Sequence, residues 1–243
     1  MFHTIIEYFK FLTKASNQHG VHSPFVYNLV TQCFYKKTAA DLWNSFLISK
    51  QLLDTKTIRK VTSLHSTSKT ARISSKKAKL LIRLIAYFKP GNILEIGTSM
   101  GLGTAAIQIG NKNSSIISIE SCPQRGKIMH ELFKKNNFNT IHIVHGNWNE
   151  ALPKVLKKQQ FDFIYFNKHQ TKKETLQCFN RCLNSINNDA IWVFNDIYST
   201  IEIQEAWLEI KNHPKVTVTV DVFFLGIIFF RKEQAKEHFK IRV

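Results

Sequence analysis

From residue 76 onward the chain alternates short apolar runs with helix-patterned runs, and this alternation restricts the possible folds more than any other feature. "NILEIG", "SSIISIE", "NTIHIVHG", "FDFIYFN" and "DAIWVFND" read as five strands. The segments "GLGTAAIQIG", "PQRGKIMHELFKKNN", "NEALPKVLKKQ" and "KKETLQCFNRCLNSI" lie between them with helix-like apolar spacing, and "TIEIQEAWLEIKNH" follows the fifth strand. This spacing predicts βαβ units, that is, a parallel sheet with helices on both faces. "KVTVTVDV" and "FFLGIIFFRK" close the series without a helix between them, which predicts an antiparallel hairpin at one edge, followed by a short basic tail. The expected fold class is α/β: a Rossmann-like seven-stranded sheet, mostly parallel, with a terminal antiparallel hairpin.

The preceding residues read differently. Up to about residue 60 apolar residues recur three or four apart with no strand-like alternation, and Ser23-Pro24 marks a helix start. Residues 61–75 are polar and read as a linker. The helix "SKKAKLLIRLIAYFK" then stops before Pro90-Gly91. The expected organisation is a helical extension and basic linker over 1–75 and an α/β domain over 76–243. "MFHTIIEYFKFLTK" is apolar at helical spacing but interrupted by Glu7 and Lys10, which fits an amphipathic helix better than a signal peptide. No window approaches the roughly 18 consecutive apolar residues of a membrane span.

Cys33, Cys122, Cys178 and Cys182 form no CxxC pair; Cys178 and Cys182 share a helix face and read as core, which suits a reducing cytoplasm. The pair His19 and His22 lacks an adjacent third ligand and reads as part of a cap and turn rather than a metal site. The net charge of +17 is concentrated in residues 54–83, where nine Lys/Arg face the single Asp54. Such a segment can track a phosphate backbone, making nucleic acid or a ribosome a candidate partner through residues 56–83. A solvated loop and helix face explains it equally well, because no stacking aromatics are interleaved.

The residues that carry chemistry cluster at strand ends. "NILEIGTSMGLGT" places Glu95, Gly97, Gly101 and Gly103 where the first strand turns into a helix, allowing close backbone approach and an anion at the helix N-terminus. The spacing is E-x-G-x-x-x-G, not the G-x-G-x-x-G of dinucleotide sites. Glu120 ends the second strand, where an acid can hydrogen-bond both ribose hydroxyls of a nucleoside cofactor. After the third strand, Gly146 allows close approach, Asn147 can read an adenine edge or cap a helix, and Trp148 can stack.

These residues and the strand order resemble the class I S-adenosylmethionine-dependent methyltransferases over residues 76–231. Within them the turn is similar to the "EIGTSxG" of catechol-type O-methyltransferases. "NQHGVHSPFVY" and "FFRKEQAKEHF" are similar to a bacterial methyltransferase-like group with an N-terminal HGVHSPF segment, which extends the likeness to most of the chain. The resemblance implies an S-adenosylmethionine site in which Glu95, Gly97, Thr98, Ser99, Gly101 and Gly103 surround the methionine end and ribose. Glu120 and Ser121 would hold the ribose side, and Gly146, Asn147 and Trp148 the adenine. Asn167 and His169 after strand four, with Asn195 and Asp196 at the end of strand five, would face the methyl group and acceptor.

The chain departs from the catechol-type pattern where that pattern holds Mg²⁺. Asn167 and Asn195-Asp196 supply one carboxylate and two amides, a weak set for a hard cation. Gln170 stands where that family has a basic lysine. His169 and Asp196 are then the candidates for proton transfer, with Tyr198 behind them. The function expected is a metal-independent, S-adenosylmethionine-dependent methyltransferase acting on oxygen or nitrogen of an unidentified acceptor. The alternative is a pseudoenzyme on the same fold that binds RNA, a ribosome or another partner through its basic surface. A nicotinamide-dependent oxidoreductase fits the βαβ pattern but neither the glycine spacing nor the final hairpin.

Overall fold

The computed structural model describes residues 2–53, 73–167 and 171–243. Residues 56–72 of the basic stretch, most of the expected linker, and His169 and Gln170 lie outside the described residues.

The described residues of Lys36–Val155 make one compact unit, and those of Met1–Tyr35 with Leu156–Val243 make a second. In the first, helices α3 (Ala40–Leu53) and α4 (Ser75–Phe88) precede β1 (Asn92–Ile96), α5 (Leu102–Gly110), β2 (Ser115–Glu120), α6 (Pro123–Lys135) and β3 (Ile141–His145). Helix α7 (Trp148–Lys158) begins in this unit. In the second, α1 (Phe2–Lys14) and α2 (Pro24–Leu29) join β4 (Phe163–Phe166), α8 (Lys172–Cys182), β5 (Ile191–Asn195), α9 (Ile201–Asn212), β6 (Val218–Asp221), β7 (Leu225–Phe229) and β8 (Glu237–Lys240). The strand order is β3-β2-β1-β4-β5-β7-β6-β8.

Helix starts follow the local chemistry. Ser23 accepts from the Val26 amide with Pro24 at the first position, and Ser74 accepts from the Lys77 amide to start α4. In α4 the buried face is Ala78, Leu81, Leu84 and Ile85, and α5 approaches it closely. At Gly110 a Cβ would lie 2.6 Å from Ile85 Cβ and 2.8 Å from the Ile82 carbonyl, so this approach needs glycine.

Strands β1, β2 and β3 pair in parallel; β1 is buried from Ile93 to Ile96, whereas in β3 only Ile141 is buried. In the second unit β4 and β5 are parallel, and Phe166 stacks on Phe194 at 4.1 Å. Strand β7 pairs antiparallel with both β5 and β6, which is the expected hairpin.

The sheet has eight strands rather than the expected seven. Residues 237–240, read as part of a basic tail, form β8 and pair parallel to β6. "EHFK" has no apolar alternation because it is an edge strand, but Ile241 behind it is fully buried and bridges to Ser16. Among the described residues, no helix is long and apolar enough to cross a membrane.

Candidate functional site

The turn after β1 takes positive φ three times in five residues: Gly97 at 97°, Ser99 at 53° and Gly101 at 70°. The Gly101 amide donates to the Thr98 carbonyl at 2.9 Å, and the Gly101 carbonyl accepts from Ala105 at 2.8 Å to start α5. A Cβ at Gly101 would lie 2.9 Å from Met129 Sδ and 3.0 Å from Phe133, so glycine here meets both the left-handed backbone and tight packing on α6. No side chain caps α5, which leaves the positive end of its dipole for another acceptor; Gly103 lies in its first turn.

A buried polar network fixes this turn. Glu95 Oε2 accepts from Thr104 Oγ1 at 2.5 Å and from Ser118 Oγ at 2.6 Å. Ser118 has one proton and gives it to Glu95, so the 2.6 Å contact with Thr98 has Thr98 donating. All four residues are fully buried. Glu95 and Thr98 are therefore brought to the turn, but their side chains point into the interior, where hydrogen bonds offset the cost of burying a carboxylate.

Glu120 ends β2 with only 2% of its surface exposed. Its Oε2 accepts from the Ser99 amide at 3.1 Å, and its Oε1 accepts from the Cys122 amide at 2.9 Å. Arg125, at the start of α6, donates to Oε1 through Nη2 at 2.6 Å. Ser121 beside it is exposed. Across the sheet, Glu120 pairs in register with His145, and its carbonyl accepts from Gly146 at 3.0 Å. Asn147 caps α7: its Oδ1 accepts from Asn149 at 3.1 Å and its carbonyl from Glu150 and Ala151. Trp148 is half-buried at the first helical position.

Two neighbours of Glu120 escaped the sequence reading. Arg125 looked like one more basic residue of a helix; its place five residues after the strand-end acid, in the first turn beyond Pro123, was the available signal. His145 lies against Gly126, where a Cβ would come within 2.2 Å of its ring.

At the other group of candidates, Asn195 Nδ2 donates to Asn167 Oδ1 at 3.2 Å, joining the ends of β5 and β4. Asp196 is half-buried with φ 51°; its amide donates to the Phe224 carbonyl and its carbonyl accepts from Ser199. Thr200 Oγ1, not Asp196, caps α9 by accepting from the Ile203 amide. Tyr198 is buried elsewhere: its hydroxyl donates to Asp221 at 2.5 Å and accepts from Lys240 at 3.1 Å. Burial, reinforced by Asp221, pushes the Tyr198 phenol well up, so it is not a free proton carrier.

His19 and His22 are exposed, and Asn17 and Ser23 are the capping side chains there. Of the lysines in α4, Lys76 is exposed, Lys77 is buried and Lys79 lies over the Trp43 ring at 4.6 Å. Of the described cations in the expected nucleic-acid stretch, Lys77 and Lys79 are thus engaged in packing, and Arg83 donates to Thr38 Oγ1 at 3.2 Å. Among the described residues, no group of three or more His, Cys, Asp or Glu could hold a metal ion.

Residues 94–197 match the family model of a methyltransferase domain. No curated protein matches the sequence. The solved O-methyltransferase from Bacillus cereus in complex with S-adenosylhomocysteine is 16% identical with a TM-score of 0.58, covering 77% of this chain and 99% of that one. The S-adenosylhomocysteine-bound methyltransferase PaMTH1 of Podospora anserina is 14% identical with a TM-score of 0.62, covering 87% and 97%. The chain has the fold of class I S-adenosylmethionine-dependent methyltransferases. The segment matched by the family model, residues 94–197, runs from β1 to just beyond β5.

Proposed function

We propose that this protein is an S-adenosylmethionine-dependent methyltransferase that acts on an oxygen or nitrogen acceptor without a divalent metal. The carrying observation is Glu120, a buried carboxylate at the end of β2 tied to the Ser99 amide of the left-handed turn. That pairing sets a ribose-binding acid beside an uncapped helix N-terminus, which suits a nucleoside carrying a carboxylate. Gly97, Ser99, Gly101 and Gly103 form the cradle, and Glu95 and Thr98 hold it from within. Ser121, Gly146, Asn147 and Trp148 line the nucleoside side.

Bound S-adenosylmethionine supplies a methyl group on a sulfonium, the electrophile of an in-line displacement. The chain's task is to align the acceptor and remove its proton. Asp196 is assigned as the proton acceptor, with His169 as the second candidate, and the Asn167–Asn195 pair orients the acceptor by hydrogen bonding. The donor set does not fit Mg²⁺: the two amides bond to each other, leaving a single carboxylate where a hard cation favours several. The four cysteines form no disulfide, which suits a cytoplasmic location.

Calorimetry with S-adenosylhomocysteine tests the cofactor assignment. Binding should be present in the wild type and lost in Glu120→Ala; absence of binding at millimolar ligand sinks the proposal. Methyl transfer from labelled cofactor should persist in the presence of a chelator.

A further inference from the structure

Resting on the cofactor assignment above, we infer that Arg125 occupies one of the hydroxyl-accepting positions of Glu120, so the carboxylate takes only one ribose hydroxyl while the guanidinium stays in place. A carboxylate offers about four lone-pair positions. Three on Glu120 are filled, by the Ser99 amide, the Cys122 amide and Arg125 Nη2. The two amides are fixed by the backbone of the β1–α5 turn and the entry to α6. Arg125 is the one donor of the three that a side-chain rotation removes.

The ion pair has the geometry of a displaceable contact. Arg125 touches Glu120 through Nη2 alone, not through the two-pronged fork that makes arginine–carboxylate pairs strong. Its Nε is buried and has no hydrogen-bond partner, so the guanidinium is incompletely satisfied where it lies. Only 2% of the Glu120 side chain and 12% of that of Arg125 are exposed, so little water competes at this contact. A ribose presenting two vicinal hydroxyls finds one open position, on Oε2. The second hydroxyl must displace Arg125 or go without a charged partner. Arg125 is therefore a specificity-determining residue: it lowers the affinity for a complete ribose and makes one of its hydroxyls nearly dispensable.

The test is competition calorimetry on the full chain, with S-adenosylhomocysteine as reference and adenosine, 2′-deoxyadenosine and 3′-deoxyadenosine as competitors. In the wild type, removing one hydroxyl should weaken binding about tenfold, and removing the other should change it by no more than about twofold. In Arg125→Met, S-adenosylhomocysteine should bind about tenfold tighter and both deoxynucleosides should be penalised alike. Arg125→Lys keeps a cation but loses the planar guanidinium; if the Met variant does not fold, this variant should show a gain of about threefold. The inference is overturned if the wild type already loses comparably from both deletions and neither variant binds S-adenosylhomocysteine more tightly. That outcome leaves the methyltransferase assignment standing. Failure of S-adenosylhomocysteine to bind the wild type and both variants removes the two together.

Discussion

Asp196 carries the heaviest chemical assignment among the described acceptor-side residues. Its positive φ is uncommon outside glycine, although aspartate adopts it more readily than most residues, and the backbone bonds to Phe224 and Ser199 hold it there. Those bonds are made by the main chain, so a substitution of the side chain leaves them in place. Asp196→Asn keeps the size and most of the hydrogen bonding but cannot accept a proton. It should lower kcat by about a hundredfold or more while leaving S-adenosylhomocysteine affinity unchanged. A kcat close to wild type would move the base to His169. Asp196 could be found from the sequence because it ends an apolar strand. Arg125 was harder to find, because a basic residue on a helix reads as solvated until its partner is seen and only its place after Pro123 set it apart. The capping role of Asn147 was readable: its spacing before an apolar helix announced the cap, which the Asn149 and Glu150 amides now fill.

The β1–α5 turn depends on a buried network as much as on its glycines. Glu95, Thr98, Thr104 and Ser118 lie on two strands, a turn and a helix, yet each hydroxyl has one direction to give its proton. Ser118→Ala removes the donor to Glu95 and the acceptor of Thr98 together. The expected cost is about 1–3 kcal/mol of stability, measured by denaturant unfolding, with weaker S-adenosylhomocysteine binding as the turn loosens. Ser118→Thr, which keeps the hydroxyl, should recover part of the loss. The sequence announced the turn through its glycines, but it could not show that Glu95 faces inward, because an acid at a strand end is compatible with either side. The eighth strand was hidden for a different reason. Both neighbours of an interior strand demand apolar side chains, whereas β8 lies at the edge of the sheet and carries Glu237, His238 and Lys240. Its pairing is visible only through the partner β6 and the buried Ile241 that follows.

For the molecule as a whole, charge and protonation act together on the unit that contains β4–β8. A net charge of +17 makes each further proton costly, and ten histidines are available to take one up. Two of them are set against protonation in the folded state. Burial depresses His213, with Lys215 and Lys236 adding to it, and burial depresses His238, with Lys211 and Lys236 adding to it. His213 Nδ1 also accepts from the Lys215 amide at 3.2 Å, a bond that protonation removes. Because the folded-state values lie below the ordinary 6.5, the unfolded chain binds more protons in the window just beneath 6.5. Stability is present above that window and lost as the pH falls through it. Asp221 pulls the other way: burial raises it from 3.8, so its own contribution falls as the pH rises from there. A simple pH scan therefore mixes two opposite slopes. The difference between the wild type and a His213→Gln, His238→Gln double variant isolates the histidines, since Asp221 is common to both. Denaturant midpoints taken between about pH 7.5 and pH 5 should fall for the wild type and fall less for the double variant. Parallel curves for the two proteins would mean that neither histidine is linked to folding, and that acid sensitivity comes from the accumulated positive charge alone.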